Sequence, residues 1–96
     1  MGCEKIIVAK DPNARKDYGW NWARWLGTDT LVTSTWFLDP STPTGLVIED
    51  PTWDTTSTTV WLSGGTVGES YGVTNRVETT DGRIEDLSFW VVIRQQ

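Results

Sequence analysis

The 96-residue chain contains no histidine, which removes the usual base for a serine, threonine or cysteine nucleophile. It has one cysteine, Cys3, so no internal disulfide can staple the fold, and a reducing site of folding fits. Basic residues are scarce: eight Lys and Arg stand against thirteen Asp and Glu, for a net charge of −5. They are scattered and form no stripe, which argues against a protein that tracks nucleic-acid phosphates. No apolar run approaches the ~20 residues of a membrane-spanning helix. Met1-Gly2-Cys3 has the glycine and cysteine of doubly acylated proteins, but position 6 is Ile where a myristoylation pattern wants Ser or Thr. No apolar run precedes Cys3 either, so the segment reads as an ordinary start with an unpaired thiol.

Tryptophan, by contrast, is abundant. Seven are spread through the chain as Trp20, Trp22, Trp25, Trp36, Trp53, Trp61 and Trp90. Each ring buries on the order of 150–250 Å², and two packed sheets leave a core only about 10 Å thick. That is more aromatic surface than one small core uses, so some rings are expected to face a partner. The length predicts a single domain over residues 1–96, burying roughly 65% of its extended surface.

The pattern along the chain has period two almost throughout. Residues 5–9 form a short apolar strand, closed by Lys10-Asp11-Pro12-Asn13. Residues 17–26 begin by alternating and then make one tight turn that Gly27 ends. Residues 30–38 are β-branched and aromatic, a strand closing at Asp39-Pro40. Residues 46–48 read as a short strand cut off by Glu49-Asp50-Pro51, which leaves Trp53 in a loop. Residues 54–59, mostly Thr and Ser, suit an exposed edge or connector. Residues 58–63 place Val60 and Leu62 on one side and Trp61 on the other, before Gly64-Gly65 breaks the strand.

Residues 70–94 read as a long hairpin turning at Thr80-Asp81-Gly82-Arg83, where Asp-Gly suits a tight primed turn. Tyr71, Val73, Asn75 and Val77 share one face of its first arm, and Leu87, Phe89, Val91 and Ile93 one face of its second. Trp90 and Val92 then face outward. About seven short strands without a long helix predict an all-β, immunoglobulin-like antiparallel β-sandwich, with Tyr71 placed for a tyrosine corner. Residues 1–9 are expected as an N-terminal strand or arm, available to pair with a neighbouring subunit's sheet edge.

These residues also resemble a known family. The series Lys10-Asp11-Pro12, Asp17-Tyr18, Trp22, Trp25-Leu26, Leu31-Val32-Thr33-Ser34-Thr35-Trp36, Leu62-Ser63-Gly64-Gly65, Gly68, Tyr71, Val73-Thr74-Asn75 and Thr79-Thr80-Asp81-Gly82-Arg83 is similar to the fiber-tail adaptors of tailed phages, small all-β virion proteins. The likeness runs from Lys10 to the end, and each piece is structural and none catalytic. Position 21 is Asn where Asp is expected before the Trp. The resemblance implies a virion structural protein of the tail or connector region, made in the host cytoplasm. It also implies a homo-oligomeric ring that links the tail or connector to a fiber or neighbouring ring. Neither nucleic acid, membrane nor cofactor enters that picture.

Trp22, Trp25 and Trp36 sit among apolar neighbours and are expected in the core. Trp20, Trp53, Trp61 and Trp90 are the candidate protein-interface residues, with Trp61, Trp90 and Trp53 expected to share one patch. The acidic groups Asp81, Glu85, Asp86 and Glu49, Asp50, Asp54 lack the alternating spacing of a calcium loop and read as solvated turns, so no metal is expected. Gly64-Gly65-Thr66-Val67-Gly68 lacks the Lys of a phosphate loop. With no deep cleft expected for a carboxylate pair to work in, the chain is read as no enzyme. The rivals are a carbohydrate-binding module, which needs two or three coplanar rings on one face, and a capsid decoration protein.

Overall fold

A computed structural model describes residues 6–95 and resolves the alternation into seven strands and one helical turn. In chain order these are β1 (Ile6–Lys10), β2 (Lys16–Asn21), α1 (Ala23–Leu26), β3 (Leu31–Leu38), β4 (Leu46–Trp53), β5 (Ser57–Gly64), β6 (Ser70–Thr79) and β7 (Ile84–Ile93). A four-stranded sheet in the order β1-β7-β6-β3 packs on a three-stranded sheet in the order β2-β5-β4. The result is an all-β, immunoglobulin-like sandwich. Cys3 and the first residues of the expected arm lie outside the described residues.

The hairpin holds the centre. Tyr71, Val73, Asn75, Val77, Leu87, Phe89, Val91 and Ile93 are all buried, with Val73 paired to Phe89 and Tyr71 to Val91, so the expected faces are the real ones. Val60 and Leu62 of β5 meet them from the other sheet and are fully buried. Each such side chain contributes about 1.5–3 kcal/mol by leaving water. The Tyr71 hydroxyl donates to the Thr44 carbonyl at 2.9 Å and accepts from the Thr66 N–H at 3.0 Å. That is the tyrosine corner, tying β6 to the loops on either side of β4 and β5.

A second apolar cluster, of Trp22, Leu26, Leu31, Val77 and Leu87, fills the other end of the interior. A polar network stands beside it. Thr58 donates to Asn75 Oδ1 at 2.7 Å, the Trp22 indole N–H reaches Thr58 and Asn75 at 3.3 Å each, and Asn75 Nδ2 donates to Ser34 and to the Thr35 carbonyl. Asn75 and Thr58 are fully buried but not orphaned, which is what a buried amide and hydroxyl require. This network joins β5 to β6 and β3, so it bridges the two sheets.

Four local readings need correction. First, β1 lies in the chain's own sheet, parallel to β7, with Ile6 opposite Phe89 and Val8 opposite Val91. Ile6 and Val8 pack against the core, so this part of the expected arm belongs to the domain's own sandwich. Its last residue, Lys10, is buried and donates to the Gly64 and Asp11 carbonyls at 2.7 and 2.9 Å. Burial pulls that ammonium below its ordinary pKa, partly offset by Asp11.

Second, β4 does not stop at Glu49-Asp50-Pro51. The strand passes through a register shift between Glu49 and Thr52, with Asp50 at φ 46, and continues to Trp53. β4 is an edge strand, where proline removes no ladder bond that is needed. Third, the Thr/Ser stretch is a connector over residues 54–56 but not an edge. Its second half opens β5, the central strand of its sheet, after Asp54 Oδ1 accepts from the Thr56 and Ser57 N–H groups at 2.9 and 2.8 Å. Fourth, the last turn is not primed. Gly82 alone within it has positive φ, and its N–H bonds to the Thr79 carbonyl while Thr79 N–H bonds to Arg83. A wider loop with one left-handed glycine therefore replaces the two-residue turn.

Candidate functional site

The two sheets present two outer faces, each with one half-buried tryptophan. On β5, Val60 and Leu62 point inward, so Trp61 points out. The Arg15 guanidinium lies 4.5 Å from the centre of its ring. Arg15 is itself held by Glu49 at 2.7 Å and Asp50 at 2.6 Å. The face is therefore an aromatic plate under a cation whose other side is carboxylate, a stack that contributes about 0.5–1 kcal/mol when exposed. Val47, exposed on neighbouring β4, is the apolar residue beside Ser63.

On β7, Phe89 and Val91 point inward and Trp90 points out over Gly72 of β6. A side chain at Gly72 would meet the Trp90 ring at 3.4 Å and Asp39 at 3.1 Å, so the glycine lets the ring lie down on the strand. Ile7, paired with Trp90 and 56% exposed, joins it with Ser70 and Val92 around a shallow hollow. This second face is apolar where the first is charged. Farther along the same sheet it turns polar, with Thr74 bonded to Ser88 and Arg76 forked onto Asp86 at 2.8 and 3.0 Å.

The remaining candidates lie on neither face. Trp20 is opposite Thr58 on the inward side of β2, at the sheet's edge, and is 40% exposed. Trp53 ends β4 on the opposite edge and is 46% exposed. Trp61, Trp90 and Trp53 therefore do not share the single expected patch, because alternation in strands of different sheets sends Trp61 and Trp90 to opposite sides. Trp22 and Trp36 are buried and Trp25 is half-buried against Trp22, with ring centres 5.4 Å apart. Ile7 was missed as a surface residue, although an unbroken Ile6-Ile7-Val8 run signals apolar side chains on both faces of its strand.

Most carboxylates of the acidic corners are taken up by hydrogen bonds. Glu49 and Asp50 hold Arg15, Asp86 holds Arg76, and Asp54 binds the turn that opens β5. Among the described residues, no three Asp, Glu, Cys or His side chains gather as a metal site. Asn21 Oδ1 accepts from the Ala23 N–H at 2.9 Å, so the amide fills the turn-capping role open to an aspartate.

The fold and these surfaces define a small immunoglobulin-like domain with exposed or half-buried tryptophans on its faces and edges and with bonded polar groups. The family described as podophage GP4 fiber-tail adaptor protein gp77 matches residues 10–92. The chain belongs to that family of phage fiber-tail adaptor proteins. Among solved structures it is similar to the PKD domain from the KIAA 1837 protein, with a TM-score of 0.58 and 13% identity over 96% of this chain and 81% of that one. That likeness shows the sandwich alone. No curated protein matches the chain.

Proposed function

We propose that this domain is a non-enzymatic adaptor, repeated around the phage tail by rotational symmetry and joining the tail or connector to a fiber or neighbouring ring. The observation that carries the reading is the placement of Trp61 and Trp90 on outer faces of different sheets. A closed ring is built from heterologous contacts, so each subunit needs two unlike patches, one for each neighbour. The charged Arg15–Trp61 face and the apolar Ile7–Trp90–Val92 face are unlike in chemistry and separated by the thickness of the sandwich, about 10 Å between sheets. A standard contact takes ~800 Å² per partner, and one tryptophan with its surround is a substantial share of that. Trp20 and Trp53, at the two edges, would meet whatever lies above or below the ring.

The same placement counts against the carbohydrate-binding alternative, which wants coplanar rings on one face. The test is to mix the purified protein with tails from phage lacking it and to measure mass before and after. A monomer that assembles in fixed copy number only on the tail is the expected result. Tight binding to a glycan array without assembly would overturn the reading.

A further inference from the structure

The edges of the sandwich differ. On one side β3 runs close against β4; on the other, among the described residues, β1 and β2 do not pack to that extent. Between β1 and β2 opens a cleft of about 120 Å³. Ile6 and Val8 wall it from β1, Tyr18 and Trp20 from β2, and Trp36 and Phe89 line it from the buried interior. Its lining is almost wholly apolar, yet two of these side chains carry buried polar atoms with no partner: the Tyr18 hydroxyl and the Trp36 indole N–H. Trp36 is only 8% exposed. Burial pushes the Tyr18 phenol above its ordinary pKa, with Asp17 adding to the effect, so the group stays a neutral donor. An unpaired buried donor is costly, and here two occur in one cleft. Among the described residues β2 pairs only with β5, which leaves its other edge open to strand addition.

We propose that this seam receives an extended segment of a second virion protein. The segment's backbone would add to the free edge of β2, an apolar side chain would enter the cleft, and acceptor oxygens beside that side chain would take the bonds of Tyr18 and Trp36. The Trp36 N–H can only donate and the neutral Tyr18 hydroxyl can donate as well, so the occupant brings at least one acceptor; the walls are apolar, so it brings no charge. The inference rests on the adaptor reading and gives it a docking site distinct from the Trp61 and Trp90 faces.

The test uses the full chain, wild type and Tyr18→Phe, with urea titration of the monomer and incorporation into tails from phage lacking this protein. The expected result is a monomer as stable as wild type or more so, because nothing loses a partner, with incorporation weakened about tenfold. A destabilised Tyr18→Phe monomer would overturn the proposal, since the hydroxyl would then have a partner within the isolated domain. Unchanged incorporation would also overturn it. So would self-association of the wild type, seen by sedimentation and abolished by the substitution, because the occupant would then be a second copy. If Trp61→Ala and Trp90→Ala block incorporation while Tyr18→Phe does not, the adaptor reading stands and the seam proposal falls. If wild-type protein does not join the tails, both fall.

Discussion

Trp22 and Trp36 are the same side chain, both buried in one interior, and they differ in what the indole N–H meets. Trp22 lies in the cluster at the helical-turn end, where its N–H points into the Thr58–Asn75 network. Trp36 lies in the other cluster, edge-on to Phe89 with ring centres 6.3 Å apart, and its N–H has no acceptor. One end of the sandwich is complete by itself, and the other borders an open seam. The contrast separates what the chain needs in order to fold from what it holds ready for another molecule: bonded polar groups mark the first, and unpaired donors beside a cleft mark the second.

The strongest way to break this contrast is to remove the rings. Trp22→Ala, Trp36→Ala and Phe89→Ala should each destabilise the monomer by about 3–5 kcal/mol, as truncation of large buried aromatics does. That is a large part of a total near 5–15 kcal/mol, and a urea titration of each variant measures it. A loss under about 1 kcal/mol for Trp36 alone would mean that its end of the interior is not a folded core until a partner arrives.

Next in size is the separation of docking from folding on the outer faces. Trp61→Ala and Trp90→Ala should change monomer stability by about 1 kcal/mol or less, because each ring is half-buried on the surface of its sheet. Each should weaken assembly onto tails by about 2 kcal/mol or more, as central aromatic contacts do. Comparing denaturation with incorporation for the same protein decides the matter. Unfolding as severe as that of Trp22→Ala would return these rings to the core and remove the two-face argument.

How far the sequence carried can be judged at particular residues. Period-two alternation from Tyr71 to Ile93 was enough to orient both arms of the central hairpin, because a one-residue slip would have turned four apolar side chains into water. The same rule sent Trp61 and Trp90 outward. It did not say that they belong to opposite sheets, since alternation within a strand carries no information on which strands are neighbours. Glu49-Asp50-Pro51 looked like a strand's end because the local signals for a bulge on an edge strand and for a loop are the same residues. The Asn75–Thr58–Trp22 network was hidden for a different reason: its members lie 17 and 53 residues from one partner to the next, and only the packing of the two sheets brings them together. The unpaired Tyr18 and Trp36 donors were equally out of reach, because a missing partner is a property of the folded arrangement.

The smallest expected effect sharpens the opening contrast most, because it keeps a ring in place and changes little but the N–H. Trp22→Phe and Trp36→Phe both shrink a buried aromatic and leave comparable space behind, so their packing losses are similar. They differ in hydrogen bonding. At position 22 the substitution also removes the donor that reaches Thr58 and Asn75, each at 3.3 Å, toward the long end of such bonds. At position 36 it removes a donor that has no acceptor, and with it the cost of burying that group unpaired. Trp22→Phe should therefore be less stable than Trp36→Phe by at least about 1 kcal/mol, the net worth of an ordinary intramolecular hydrogen bond before the relief at position 36 is added, in parallel urea titrations of the two monomers. Asn75 Oδ1 keeps its 2.7 Å bond from Thr58 in the first variant, which holds the hydrogen-bond loss at position 22 to that size. Equal losses would mean that the Trp36 N–H finds an acceptor in the isolated domain, a trapped water being the simplest, and the two ends of the interior would then be equally complete.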